Sequence, residues 1–369
     1  MRPSQDLSKV ISPALLFDID RINANLEAMV ELVGGDPARL RPHIKTHKCS
    51  KILELQLERG IQCVKCATIA EAELAARTAV PDVLLAYPLV GPNASRFNQL
   101  RECYPEIRFS AVVDSHASLE ALSIAGKPLS VYLDFDCGMH RTGISSSDSA
   151  VSLIEQIQQA KPLEFAGIHV YDGHIHDSAI SDRKTAFDLS MSEVDRFVAL
   201  LQRKGITVAT VIAGGSPTFS NHAARALEFP TLWQCSPGTS VLWDHGYGSK
   251  FPELPFNPAA SLLTRVVSRP TSTLACLDLG HKAVAAENPI EQRIHFPEFP
   301  ELTFFSHSEE HLVVSLPERL PLSVGTELIG IPYHVCPTVA LYDEAWIIRG
   351  GTITGNTWAI EGRGRRLTV

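Results

Sequence analysis

Short apolar runs and amphipathic stretches alternate along the first part of the chain. Residues 14–17 form an apolar strand, and Asp18 or Asp20 is placed to cap the helix after it. Ile22, Leu26, Met29, Val30 and Val33 then keep helical spacing until Gly34 and Gly35 stop it. Residues 40–44 read as the next strand and 51–59 as the next helix, ended by Gly60. The alternation continues with strands at 62–67, 83–86, 107–113, 129–135, 165–171 and 207–213. Helices are expected at 70–77, 94–103, 118–124, 148–160 and 182–203. This rhythm predicts a parallel sheet, and its count favours a closed (β/α)8 TIM barrel over an open sheet. A further run at 232–236 makes one strand too many, so one strand belongs elsewhere or a boundary is misplaced.

After residue 255 the pattern changes. Short β-like runs at 262–267, 273–279, 312–315, 327–331, 346–348 and 352–358 are separated by Gly and Pro turns, with no helix-length pattern between them. The expectation is an α/β barrel domain over residues 1–255 and an all-β domain over 256–369, divided near a Pro- and aromatic-rich linker at 248–258.

Composition narrows the class. A chain of 369 residues with 45% hydrophobic and 20% charged positions is an ordinary globular protein. A net charge of −8 argues against nucleic acid or an anionic membrane as partner. No apolar run is long enough to span a bilayer. Met1–Asp6 lacks an apolar signal core, so a cytoplasmic protein is expected, with its eight cysteines as thiols or metal ligands.

In a barrel the chemistry sits where strands end. After the run at 40–44, Arg41-Pro42-His43-Ile44-Lys45-Thr46-His47-Lys48 gathers cations and imidazoles with no acid among them. Crowding and desolvation suit Lys45 to act as an amine nucleophile, although a basic surface turn is the plainer reading. Gly214-Gly215-Ser216-Pro217-Thr218 has the make-up of a phosphate cup, with Pro217 in a first helical turn, and Gly238-Thr239 offers a second edge. There is no Walker loop, Rossmann fingerprint or Gly-x-Ser-x-Gly elbow. His334-Val335-Cys336, read as a strand, puts imidazole and thiolate on one face, a pair suited to Zn²⁺ over Mg²⁺. Cys63-Val64-Lys65-Cys66 has no second Cys pair and reads as barrel core. His174-Ile175-His176 could instead mark a metal-dependent amidohydrolase with Lys45 structural or bridging, but phosphate loops have no place there.

Taken together, these segments resemble the fold-type III pyridoxal-phosphate enzymes with an alanine racemase-like barrel. The closer resemblance is to the D-threonine aldolase and D-serine dehydratase family. Its most specific parts are Pro42 to Lys48, Gly138 to Gly143 and Tyr333 to Val339, supported by Ala67 to Glu73 and Asp278 to Lys282. The resemblance implies pyridoxal 5′-phosphate joined to Lys45 as a Schiff base, Tyr171 facing the pyridine nitrogen and Arg141 near the ring hydroxyl. Gly214, Gly215, Ser216, Gly238 and Thr239 would hold the phosphate, with His43, His47 and Lys48 supporting Lys45. His334 and Cys336 would bind a divalent metal, Zn²⁺ first and Mn²⁺ or Mg²⁺ as alternatives.

Two reactions on D-3-hydroxy amino acids are implied by the resemblance. Retro-aldol cleavage gives glycine and an aldehyde, with His174 or His176 as base. Dehydration of D-serine or D-3-hydroxyaspartate gives a keto acid and ammonia, with Lys45 as base. Cys336 stands where family aldolases tend to have aspartate and dehydratases cysteine, and Ser240 where many relatives have a bulkier residue. The segment at 171–177 is nearer the aldolases, so the aldolase is preferred. Racemase chemistry comes third, since it leaves His334 and Cys336 without a role. A non-catalytic, single-barrel cofactor binder would lack the β domain. The resemblance also implies a homodimer, the β domain of one chain covering the other's barrel mouth.

Overall fold

The computed structural model describes residues 7–123, 128–145, 147–229, 232–317, 320, 322–366 and 368. Met1–Asp6, on which the cytoplasmic expectation rests, and Ile124, the end of one expected helix, lie outside the described residues.

The surplus strand is the first. Numbering strands in chain order, β1 (Ala14–Asp18) pairs in parallel with β15 (Glu344–Arg349) and antiparallel with β9 (Ala260–Thr271), outside the barrel. Its apolar residues are buried along the run, so locally it is indistinguishable from a barrel strand; only its distant partners decide.

The barrel sheet runs in chain order through β2 (Cys63–Cys66), β3 (Asp82–Leu85), β4 (Arg108–Val113), β5 (Leu129–Phe135), β6 (Leu163–Val170), β7 (Thr210–Ala213) and β8 (Leu232–Cys235), all parallel. Helices Ile69–Arg77, Pro92–Cys103, His116–Ser123, Ser147–Gln159, Ile180–Arg203 and Phe219–Glu228 connect them. Residues 40–44 take the eighth place. Leu40 bridges to Cys235 on β8 and His43 to Lys65 on β2. Arg41 N donates to Cys235 O, and Ile44 N donates to Lys65 O, each at 2.9 Å. These bonds curl the sheet closed and leave Lys45 at the strand-end face. Inside, Leu84, Val112, Tyr132 and Ile212 form one buried cluster. Full burial of its aliphatic members contributes about 1.5–3 kcal/mol each.

The second sheet has the order β12-β13-β10-β9-β1-β15-β16, where β10 is Leu274–Leu277, β12 Thr303–His307, β13 Leu312–Ser315 and β16 Thr352–Ala359. β14 (Glu327–Pro332) joins β9, and β11 (Ile294–His295) joins β14. Leu7, Val10, Leu16, Leu263, Ile329 and Ile348 pack one of its cores. The chain thus divides into two compact units: residues 29–45, 52–238 and 364–369 with the barrel, and residues 1–28, 46–51 and 239–363 with the β sheet. The expected domains were contiguous in sequence; these units are interleaved. Among the described residues, no helix is long and apolar enough to cross a membrane.

Candidate active site

Tyr171 follows β6, and its ring gathers three cations. Arg141 Cζ lies 4.7 Å, Lys65 Nζ 5.7 Å and Lys45 Nζ 5.8 Å from the ring centroid, all within reach of its negative face. The backbone N–H of Lys45 donates to His43 Nδ1 at 3.2 Å, fixing the turn that carries it.

Two parts of the cationic stretch do other work. Arg41 is buried in the barrel, where Nη1 donates to Asp82 Oδ1 at 2.6 Å and Nε to Gln234 Oε1 at 2.7 Å. Its acid comes from another strand, which the local sequence could not show. His47 is fully buried, and burial pushes its pKa down to about 3, so it is neutral. Its Nδ1 accepts from Cys49 N at 3.2 Å.

Arg141 rides on a loop shaped by acids. Asp136 accepts from the backbone N–H groups of Gly138 and His140, each at 3.0 Å, and Thr142 Oγ1 donates to Asp134 Oδ2 at 2.8 Å. Gly138 has φ +120°, and a Cβ there would sit 2.9 Å from His174 Nε2, so the loop lies directly on that imidazole. His174 is half-buried, with Nδ1 unpartnered among the described residues; His176 is exposed.

Lys65 is the residue that reading β2 as core overlooked. Its Nζ lies 3.3 Å from His169 Nε2, and His169 Nδ1 donates to Asp134 Oδ1 at 2.7 Å. Burial, then the Lys45 charge, push the Lys65 ammonium down to about 7. Burial also lowers His169, favouring neutral imidazole. Burial works against the Asp134 carboxylate, but His169, Thr142 and Lys65 outweigh it and keep it ionised. The available signal was alternation: in a half-inward strand Lys65 and Val64 face opposite sides. Cys63 and Cys66 form no disulfide.

The glycine loop after β7 is built for close approach. Gly214 has φ +109°, and a Cβ there would meet His222 Cδ2 at 2.5 Å. His222 Nε2 is held at 2.9 Å from Asp172 Oδ2, both side chains 1% exposed. The Gly238 amide donates to Ser216 Oγ at 3.2 Å, tying the two glycine segments together. The helix begins at Phe219 with Thr218 as N-cap, so Pro217 precedes the helix instead of lying in its first turn.

His334, Cys336 and Thr239 belong to the β-sheet unit. The expected strand is absent: His334 N-caps a short helix, Val335–Val339, so the alternate-face reasoning does not apply. The two side chains meet nevertheless. Burial opposes the charged His334 imidazole, but Cys336 and Glu287 prevail and raise it to about 9. His334 Nδ1 lies 2.5 Å from Glu287 Oε1, and Cys336 Sγ lies 3.1 Å from Thr46 Oγ1 and 3.6 Å from Thr239 Oγ1. Among the described residues no three His, Cys, Asp or Glu side chains converge on one metal position.

The donor sets fit the implied groups. Three basic side chains face one ring, while the nearby acids Asp134 and Asp172 are engaged by His169 and His222, which suits an anionic cofactor. A substituent-free glycine cradle suits a phosphate. Imidazole with thiol suits Zn²⁺, and a carboxylate on the imidazole's other nitrogen is how zinc-binding histidines are commonly oriented.

Comparison with known proteins gives the family. The family model described as "Alanine racemase, N-terminal domain" matches residues 17–241, and "Putative serine dehydratase domain" matches residues 259–348. The chain is 28% identical over 371 residues to a D-threonine aldolase of an Arthrobacter species, covering 98% of this chain and 95% of the relative. It is 26% identical over 375 residues to a 3-hydroxy-D-aspartate aldolase of Paracoccus denitrificans (strain Pd 1222), with coverage of 98% and 95%. The solved D-threonine aldolase of Filomicrobium marinum superposes with TM-score 0.88 at 28% identity, covering 100% of both chains.

Proposed function

The chain belongs to the family of the alanine racemase N-terminal domain, and on that premise we propose that it is a pyridoxal-phosphate-dependent lyase of D-3-hydroxy amino acids. Its reaction is retro-aldol cleavage of D-threonine-type substrates to glycine and an aldehyde. The observation that carries this reading is the gathering of Lys45, Lys65 and Arg141 on the Tyr171 ring, in the same barrel unit as the glycine cradle. In a barrel those are the ingredients for holding an anionic, aldehyde-bearing cofactor.

When bound, pyridoxal phosphate supplies an electron sink for charge developing at the substrate α-carbon. Lys45 binds it covalently, Tyr171 and Arg141 orient its ring, and Gly214, Gly215, Ser216, Gly238 and Thr239 hold its phosphate. His334 and Cys336 hold a divalent metal, Zn²⁺ by donor softness, which supplies a Lewis acid. Glu287 fixes the His334 ring through Nδ1. His174, half-buried with a free nitrogen, takes the hydroxyl proton ahead of the exposed His176.

One observation favours a second reading, dehydration: position 336, two residues after His334, is a cysteine instead of a carboxylate, in a segment that matches the serine dehydratase model. Lys45 would then remove the α-proton. Product analysis separates the two. With D-threonine, glycine and acetaldehyde support the aldolase; 2-oxobutanoate and ammonia, or pyruvate and ammonia from D-serine, overturn it in favour of the dehydratase.

A further inference from the structure

The proposed chemistry makes no use of Lys65, yet this lysine is 2% exposed and faces the same ring as Lys45. Burying an amine costs several kcal/mol unless it is paired or gives up its proton. Lys65 has the means for either. His169, with Nδ1 donating to Asp134 at 2.7 Å, presents Nε2 as an acceptor 3.3 Å from the Lys65 amine.

We propose that Lys65 is a positioning residue for Lys45. Held by His169 and Asp134, its amine keeps or releases one proton and so sets the charge against which Lys45 reacts. This rests on reading Lys45 as the cofactor lysine.

The charged and titratable groups facing Lys65 come from several elements. Lys45 and Arg141 oppose its ammonium form, Asp134 and Asp172 favour it, and His169 and the Tyr171 ring touch it. Asp172 is engaged by His222 and Asp134 by His169 and Thr142, so neither carboxylate is devoted to Lys65. The balance leaves Lys65 titrating at about 7, where a change in its proton changes the field at its neighbour.

The test uses unliganded protein and trace acetic anhydride from about pH 6 to about pH 10, spanning ordinary amine titration. Acetylation at Lys45 is followed by peptide mass spectrometry in wild type, Lys65→Met and Lys65→Arg. With Lys65→Arg supplying a permanent cation, Lys45 should be acetylated faster at a given pH than in Lys65→Met. Wild type should follow the arginine curve below pH about 7 and the methionine curve above it. Coincident curves for all three proteins overturn the proposal. Should either variant fail to fold, wild type alone decides: a second inflection near neutral pH supports the coupling, and a one-group curve overturns it. Cofactor uptake is scored separately by absorbance. Protein that takes up no pyridoxal phosphate sinks the proposed function, whereas normal uptake with coincident curves sinks this inference alone.

Discussion

Tyr171 shows how much a single aromatic face organises. Its ring faces Arg141, Lys65 and Lys45 from three different strand-end segments, and the acids that would neutralise them are engaged by His169 and His222. Lys65 carries a pH signature in stability. Its folded-state value of about 7 lies below the ordinary 10.5, so between those limits the unfolded chain binds the proton and the folded chain does not. Unliganded protein should therefore gain stability as pH rises through that window, by up to about 1.4 kcal/mol per pH unit from this group. Urea midpoints at both ends of the window check this: Lys65→Met should show a shallower rise than wild type, and parallel slopes would contradict it. Asp172 and His222 form a pair with both side chains 1% exposed. Asp172→Asn should destabilise the protein by about 1–3 kcal/mol, the cost typical of weakening a buried hydrogen bond to a carboxylate, readable from the same titrations.

At the scale of elements, the loop after β7 and the turn after residues 40–44 set the geometry of the site. At Gly214 both φ +109° and the His222 ring at 2.5 Å oppose a side chain. Gly214→Ala should cost about 1–3 kcal/mol and weaken cofactor retention during dialysis; unchanged retention would show that the loop does not hold the phosphate. The helix Ile69–Arg77, which comes after β2, opens with reciprocal caps: Thr68 Oγ1 accepts from Glu71 N at 3.1 Å, and Glu71 Oε2 accepts from Ala67 N at 2.7 Å. Thr68→Ala should lower stability by about 1 kcal/mol, seen as a shifted thermal midpoint. Most elements were legible because period-two and period-3.6 patterns come directly from backbone geometry. Lys65 was hidden because one lysine in a four-residue apolar strand looks like noise until its long-range neighbours are known. The helix Val335–Val339 has five residues, too few to show a period, so His334 and Cys336 read as strand although their pairing is legible.

For the whole molecule, periodicity established a parallel barrel followed by a β domain but could not assign β1, whose partners lie about 250 and 330 residues away in sequence. That pairing puts the N-terminal segment in the β-sheet unit. If the implied homodimer brings the His334–Cys336 pair of one subunit to the other's Lys45, two inactive variants should complement each other. Lys45→Ala and His334→Ala, unfolded and refolded together, should recover about a quarter of wild-type activity. Half of such dimers are mixed, and each holds one intact site of two. No recovery would place each site within a single chain.

The central claim is that Lys45 holds pyridoxal phosphate, and borohydride reduction tests it most directly. Protein purified in the presence of the cofactor should be yellow. After reduction and digestion, the phosphopyridoxyl mass should fall on the peptide containing Lys45 and be missing in Lys45→Ala. A colourless protein, or the label on Lys65 or any other lysine, would contradict the account.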